Sequence, residues 1–211
     1  MTMIKNLLFD FGGVLCDLNF DDSLNAFRGL GSSLQSFKEN EELVAILQRM
    51  DRGTATVPEF MRELRNVCEI PCATDQQLLY AWNKILGGIP NQRYEALKQL
   101  KKNYSIYLLS NCNDPHWNFV LEHYSEYKGE NFIEWFKQIF LSFKMHLEKP
   151  EPAIYETVAQ EACICPEETL FIDDHQENID GAKNVGFHGL CALGDEWIKQ
   201  LVNKNLDKGN F

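Results

Sequence analysis

Four short stretches of this 211-residue chain place reactive side chains at the end of an apolar run or on the loop that follows one. The first is Phe9-Asp10-Phe11-Gly12-Gly13-Val14-Leu15, where the run from Ile4 to Phe9 stops at one carboxylate and two glycines. Ser110-Asn111 follows Ile106 to Leu109 and offers a hydroxyl and backbone amides suited to a phosphate. Lys149-Pro150, after Ile139 to Leu141, is a single cation on a stiff loop, and Asp173-Asp174 closes the run Thr169 to Ile172. An aspartate in the first position can attack as a nucleophile or ligate a metal; it can equally cap the segment that follows. Each stretch alone is ordinary, since Ser-Asn is a common turn, Lys-Pro a solvated loop and Asp-Asp a frequent helix start. Their ordered recurrence at four strand ends is much harder to explain by structure alone.

The elements that must position these groups are legible in the same pattern. Apolar, β-favouring residues stopped by glycine read as a buried strand feeding a tight turn, and open α/β sheets gather ligands at the carboxyl ends of strands. The spacing predicts strands over Asn6 to Phe9, Ile106 to Leu109, Ile139 to Leu141, Thr169 to Ile172 and His188 to Ala192. Between them, Asn91 to Lys102 reads as a crossover helix, and Asp114-Pro115 as an N-cap with proline in the first turn. Pro152 opens a further helix through Ile154, Tyr155 and Val158, and Gln176 to Val185 forms another, closed by Gly186. Regular alternation of this kind predicts an α/β fold, a Rossmann-like parallel five-stranded sheet with helices on both faces.

The first two strands are interrupted by three amphipathic stripes: Leu43, Ile46, Leu47 and Met50, then Phe60, Met61, Leu64 and Val67, then Leu78, Leu79, Trp82 and Ile85. These read as core-forming faces of an all-helical insertion, placed as a cap over the site. The expected division is a core of residues 1–16 and 90–211 and a helical cap domain of residues 17–89. The polar tail from Lys204 to Phe211 is expected to fray.

Composition narrows the function classes. Hydrophobic residues make up 45% and charged residues 24%, ordinary for a globular protein. The formal charge of -11 argues against nucleic acid as a partner, because phosphate backbones need a basic face. No apolar stretch approaches the length needed to cross a bilayer, and the start of the chain lacks a signal pattern, so a cytoplasmic location is expected. Seven cysteines in that setting are expected to be reduced. Neither Cys163 with Cys165 nor Cys68 with Cys72 has a second half at zinc-site spacing. Cys112, near the reactive stretches, reads as a small buried hydrophobe.

In order and spacing, the four motifs and the helical insertion resemble the haloacid dehalogenase superfamily over nearly the whole chain, with the cap in the position typical of its subfamily I. Phe-Asp-Phe-Gly-Gly-Val-Leu together with Leu109-Ser110-Asn111 also resembles the branch holding bacterial sugar-phosphate phosphatases such as α-D-glucose-1-phosphate phosphatase. The resemblance implies a Mg²⁺-dependent phosphatase that hydrolyses a small phosphomonoester, a sugar phosphate, through an aspartyl-phosphate. By resemblance, Asp10 is the nucleophile, and Lys149 is catalytic and phosphate-binding with Ser110 and Asn111. The metal ligands so implied are Asp10, the main-chain oxygen of Gly12 and Asp174, with Asp173 in support and Asn178 completing the last motif. The implied partner is a small phosphorylated metabolite, and the implied state a monomer or homodimer.

The chemistry stands on its own terms too. Phosphoryl transfer needs an in-line nucleophile and dispersed positive charge, and Mg²⁺ suits a cage of carboxylate, carbonyl and phosphate oxygens. Such contacts act at short range, while the chain's net negative field is screened beyond about 10 Å. One departure stands out: most phosphatases of the superfamily carry a second aspartate two residues after the nucleophile, and here that position is Gly12. Loss of a general acid costs about 10²–10⁴-fold, so the resemblance implies altered catalysis in which better leaving groups suffer less, unless another group such as Asp17 or His175 supplies the proton. Two other readings stay open. A metal-independent 2-haloacid dehalogenase would use Asp10 on carbon but give Asp173-Asp174 no evident task. A non-catalytic member would bind a phospho-ligand or a protein, a reading motivated by Gly12.

Overall fold

The computed structural model describes residues 3–37 and 39–202. The chain begins with strand β1 (Asn6–Phe9) and a short strand β2 (Asp17–Leu18), then enters four helices, α1 (Phe20–Gly29), α2 (Glu41–Asp51), α3 (Val57–Val67) and α4 (Asp75–Asn83). It returns through β3 (Leu86–Gly88), which pairs antiparallel with β2. Helix α5 (Asn91–Leu100), β4 (Ser105–Ser110) and α6 (Asp114–His123) follow, then a hairpin of β5 (Glu126–Tyr127) and β6 (Glu130–Asn131). The remainder is β7 (Ile139–Leu141), α7 (Ser142–Met145), α8 (Pro152–Glu161), β8 (Thr169–Asp173), α9 (Gln176–Asn184), β9 (His188–Cys191) and α10 (Glu196–Leu201).

Five strands form one sheet in the order β7-β4-β1-β8-β9, every neighbouring pair parallel. From the central β1 the chain winds outward to β4 and β7, then crosses back to β8 and β9. The reversal lies between β1 and β8, where doubly wound sheets bind ligands. Both faces of the sheet are covered, so its strands read as near-continuous apolar runs. Leu7 and Phe9 pack into one cluster with Leu97, Trp117 and Trp197, while Leu8 packs into another with Ile154, Tyr155 and Ile179.

The helical insert has an interior of its own, built from Phe27, Leu43, Ile46, Phe60, Leu64, Leu78 and Trp82. The predicted stripes supply α2, α3 and α4; the third ends before Ile85, because α4 stops at Asn83. Thr56 and Thr74 close capping boxes with Glu59 and Gln77, which fixes where α3 and α4 begin. Helix α1 and the β2–β3 ribbon were not foreseen in the sequence. Leu18 on the ribbon packs against both the sheet's cluster and the insert's cluster.

Other limits shift by one or two residues. Helix α5 ends at Leu100 rather than Lys102, β4 gains Ser105 and Ser110, and β9 stops at Cys191. The N-cap of α6 is Asn113, whose side chain accepts from His116 N, so Asp114 lies in the first turn. Val185 caps α9 and Gly186 follows at φ 100°, the left-handed conformation that suits glycine after a helix. The expected fraying of Lys204 to Phe211 concerns residues outside those described. Among the described residues, no helix is long and apolar enough to cross a membrane.

Candidate active site

Parallel registry brings three of the motifs to one edge. Phe9 pairs with Leu108 on one side and Ile172 on the other, so Asp10 leaves β1 level with the ends of β4 and β8. Its backbone N–H donates to Ile172 O at 2.8 Å, fastening the residue to β8 as the chain turns away. Gly13 then adopts φ 76°, and a Cβ there would lie 2.4 Å from Asp174 Oδ2. Only glycine lets the Asp174 carboxylate come this close to the turn.

Lys149 joins the carboxylates. Its Nζ donates to Asp10 Oδ1 at 2.6 Å, to Asp173 Oδ2 at 2.7 Å and to Leu109 O at 3.3 Å. Asn111 holds the Lys149 backbone from both sides, accepting from its N–H and donating to its carbonyl, each at 3.0 Å. The second Asp173 oxygen accepts from His175 N at 2.8 Å and Asn178 Nδ2 at 2.9 Å. Asp173 is fully buried and both its oxygens are engaged, so it acts on Lys149 and on the start of α9. Burial pushes the Asp10 carboxyl up, toward about 7, with Lys149 pulling against it and Asp173 adding repulsion. Burial works to lower Lys149, but Asp10 and Asp173 outweigh it and hold the ammonium above its usual value.

These groups open onto a cleft of about 350 Å³ lined by Asp10, Gly12, Leu18, Asn111, Lys149, Pro150, Asp174, His175, Glu177 and Asn178. The sequence-derived residues Asp10, Gly12, Asn111, Lys149, Asp174 and Asn178 meet there. Ser110 does not: it is buried, and its hydroxyl faces the Asn111 carbonyl at 3.5 Å, outside the lining. Asp173 lies beneath the floor. Of the two replacement proton donors, Asp17 is paired with Arg93 at 2.7 Å and is not on the cleft wall, whereas His175 is on it. Leu18 and Glu177 also line the cleft although no motif marked them. A Cβ on Gly12 would sit 3.2 Å from Leu18 Cδ1, so aliphatic carbon covers the place where a second aspartate would project.

The donor set suits a hard cation. Asp174 turns Oδ2 toward the Gly13 cradle, while Oδ1 contacts His175 Nδ1 at 2.8 Å, and Asp10 and the Gly12 backbone face the same cleft. Carboxylate and carbonyl oxygens with little room between them fit Mg²⁺ rather than a soft metal. All seven cysteines are free; Cys112 is buried and its thiol is pushed above the usual range by burial.

Comparison with known proteins fits this geometry to a family. The haloacid dehalogenase-like hydrolases match residues 4–186. The chain belongs to that family. Within it, the chain is 29% identical to the D-ribitol-5-phosphate phosphatase of Bacteroides thetaiotaomicron over 202 residues, 95% of this chain and 98% of that protein. The crystal structure of a family enzyme from the same organism, in complex with magnesium and inorganic phosphate, superposes with a TM-score of 0.87. It is 34% identical, covering 94% of this chain and 99% of that one. A family hydrolase from Porphyromonas gingivalis gives a TM-score of 0.84 at 28% identity, covering 97% of this chain and 100% of that one. A 2-haloacid dehalogenase from Pseudomonas syringae shares the fold at a TM-score of 0.58 and 18% identity, covering 89% of this chain and 85% of that one.

Proposed function

We propose that this hydrolase is a Mg²⁺-dependent phosphatase of small polyol or sugar phosphates, with Asp10 as the nucleophile. The observation that carries the reading is Lys149 Nζ, which joins Asp10 and Asp173 at the floor of a cleft that also holds Asp174. A metal-independent dehalogenase would leave the Asp174 carboxylate on the cleft wall without an evident task. Relatives named for a polyol phosphate, or solved with magnesium and phosphate, support the same chemistry.

In this reading Asp10, the Gly12 carbonyl and Asp174 hold the metal, which when bound supplies charge to the transferring phosphoryl oxygens. Lys149 and Asn111 hold the phosphate, with the Ser110 hydroxyl beside the Asn111 carbonyl. An Asp10 oxygen attacks phosphorus in line as the ester P–O bond breaks, giving an aspartyl-phosphate and the free alcohol. Water then attacks this phosphate, releasing inorganic phosphate and restoring the carboxylate. Asp173 keeps Lys149 aimed at Asp10. The leaving oxygen departs beside Gly12 with no carboxylic acid there to protonate it, and takes its proton from solvent water.

Residues 17–89 form the cap that selects the alcohol, and residues 1–16 and 90–211 the catalytic core. The acidic chain works in the cytoplasm on a small metabolite, as a monomer or homodimer, without nucleic acid or membrane. The test is phosphate release from a panel of pentitol, pentose and hexose phosphates with and without chelator. The reading expects turnover that needs Mg²⁺ and is abolished in Asp10→Asn. Halide release from 2-haloacids in chelator, or no turnover of any phosphomonoester, would overturn it.

A further inference from the structure

We propose that Arg93 is a positioning residue for the turn that follows Asp10, and that it sets Mg²⁺ affinity from outside the cleft. The proposal rests on the reading of Gly12 as a metal ligand. Within the turn, Leu15 N and Cys16 N donate to Phe11 O at 2.9 and 2.8 Å, and Gly13 N donates to Cys16 O at 2.8 Å. The next three carbonyls are each held by a donor from elsewhere in the chain. Gly13 O accepts from Gly194 N at 2.7 Å, Val14 O from Trp197 Nε1 at 3.2 Å, and Leu15 O from Arg93 Nη1 at 3.1 Å. None of these donors lines the cleft.

Arg93 is the hub of this outer support. Its side chain is 5% exposed, and besides Leu15 O it holds Asp195 Oδ1 through Nε at 2.8 Å and Asp17 Oδ1 through Nη2 at 2.7 Å. Asp195 adjoins Gly194, so one guanidinium fixes the turn both directly and through the loop that donates to Gly13. Asp17 is the first residue of the ribbon into the helical insert, so the exit of the turn is fixed as well. Gly194 has φ 59°, and a Cβ there would stand 3.3 Å from Arg93 Nη2, so the loop is shaped to the guanidinium. The guanidinium spreads Nε, Nη1 and Nη2 over a rigid plane and so reaches three separated acceptors, whereas a lysine in its place offers one compact donor point. Groups that orient metal ligands without touching the metal are worth about 10–100-fold in affinity or activity.

The experiment compares Arg93→Met and Arg93→Lys with Leu97→Ala, which opens the core beneath the same helix but removes no hydrogen bond. Mg²⁺ affinity is read by titration calorimetry and turn order by amide hydrogen exchange over residues 11–18. The expected result is Mg²⁺ binding weakened about 10–100-fold in Arg93→Met, with faster exchange over 11–18 and unchanged exchange in β1 and β4. Arg93→Lys should fall between Arg93→Met and the parent. Leu97→Ala should lose thermal stability yet keep parental Mg²⁺ affinity. Parental affinity in both Arg93 variants, or equal weakening in Leu97→Ala, would overturn the proposal. A parent protein that takes up no Mg²⁺ would overturn the phosphatase reading instead, and exchange over 11–18 would still judge the role of Arg93.

Discussion

Replacing Lys149 with methionine should destabilise the metal-free protein in a pH-dependent way. The ammonium stands 2.6 Å from Asp10 and 2.7 Å from Asp173, with side-chain exposures of 2% for Lys149, 9% for Asp10 and 0% for Asp173. Methionine fills similar volume but leaves two carboxylates facing each other without a counter-charge. Stranding one partner of a buried ion pair costs about 3–5 kcal/mol, which for a chain of this size is a melting-temperature drop of about 6–20 °C. The pH dependence follows from proton linkage. The Asp10 carboxyl is already raised in the folded parent, and removing Lys149 takes away the largest influence lowering it. Between the unfolded carboxylate value of about 4 and the raised folded value, the folded variant binds a proton that the unfolded chain has released. Stability therefore falls as pH rises through that window, by at most about 1.4 kcal/mol per pH unit for one proton. Melting curves of Lys149→Met and parent in chelator at pH 5.5 and pH 8 measure this directly. The deficit should be large at pH 8 and smaller at pH 5.5. A deficit that is equal or greater at pH 5.5, or absent at pH 8, refutes the view that Lys149 neutralises two buried carboxylates.

Three other outcomes are expected. Asp174→Ala should shift the Mg²⁺ needed for half-maximal activity upward by about 10-fold or more, measured by metal titration of phosphate release, with Zn²⁺ a poor substitute for an all-oxygen set. Gly13→Ala should cost about 1 kcal/mol of stability for its left-handed backbone and a larger loss of Mg²⁺ binding, because its methyl would displace Asp174 Oδ2; calorimetry and melting separate the two. With no acid at Gly12, log kcat/KM for small phosphomonoesters should fall steeply as leaving-group pKa rises. The slope should flatten in Gly12→Asp, and further when Leu18→Ala relieves the 3.2 Å approach of Leu18 Cδ1 to the new Cβ; a flat line in the parent would show that a proton donor such as His175 already serves.

The sheet was legible because its strands are buried on both faces. Leu7, Leu8 and Phe9 are all fully buried, so β1 is an unbroken apolar run with a carboxylate at its end. Parallel strands deliver their ends to one edge, so four motifs in order were enough to place Asp10, Asn111, Lys149 and Asp174 together. Helix α1 escaped notice because the one apolar residue of its start, Phe20, is exposed among Asn19, Asp21 and Asp22, and its buried positions are only Ser23, Leu24 and Phe27. The ribbon strands are two and three residues long, too short to show a period. At α6 both Asn113 and Asp114 can cap, and only the hydrogen bond to His116 N decides between them. Ser110 is as buried as Lys149 and Asp10, and its hydroxyl lies 3.5 Å from the Asn111 carbonyl, an arrangement that the residue type alone does not reveal. The Arg93 cluster joins residues 78 and 102 positions apart in the chain, a relation that no local pattern encodes.

The two separate interiors have a consequence for how such a protein can change. The insert meets the catalytic half through several side chains. Ser142 donates to Asp51 O, and His116 stacks on Trp82. Asp51 accepts from Asn113, Trp82 Nε1 donates to the same Asn113, Arg52 pairs with Glu148, and Leu18 touches both interiors. The insert has an interior of its own and leaves and rejoins the sheet half through the paired β2–β3 ribbon, so its packing can vary with less direct effect on the strands that carry Asp10, Asn111 and Asp173.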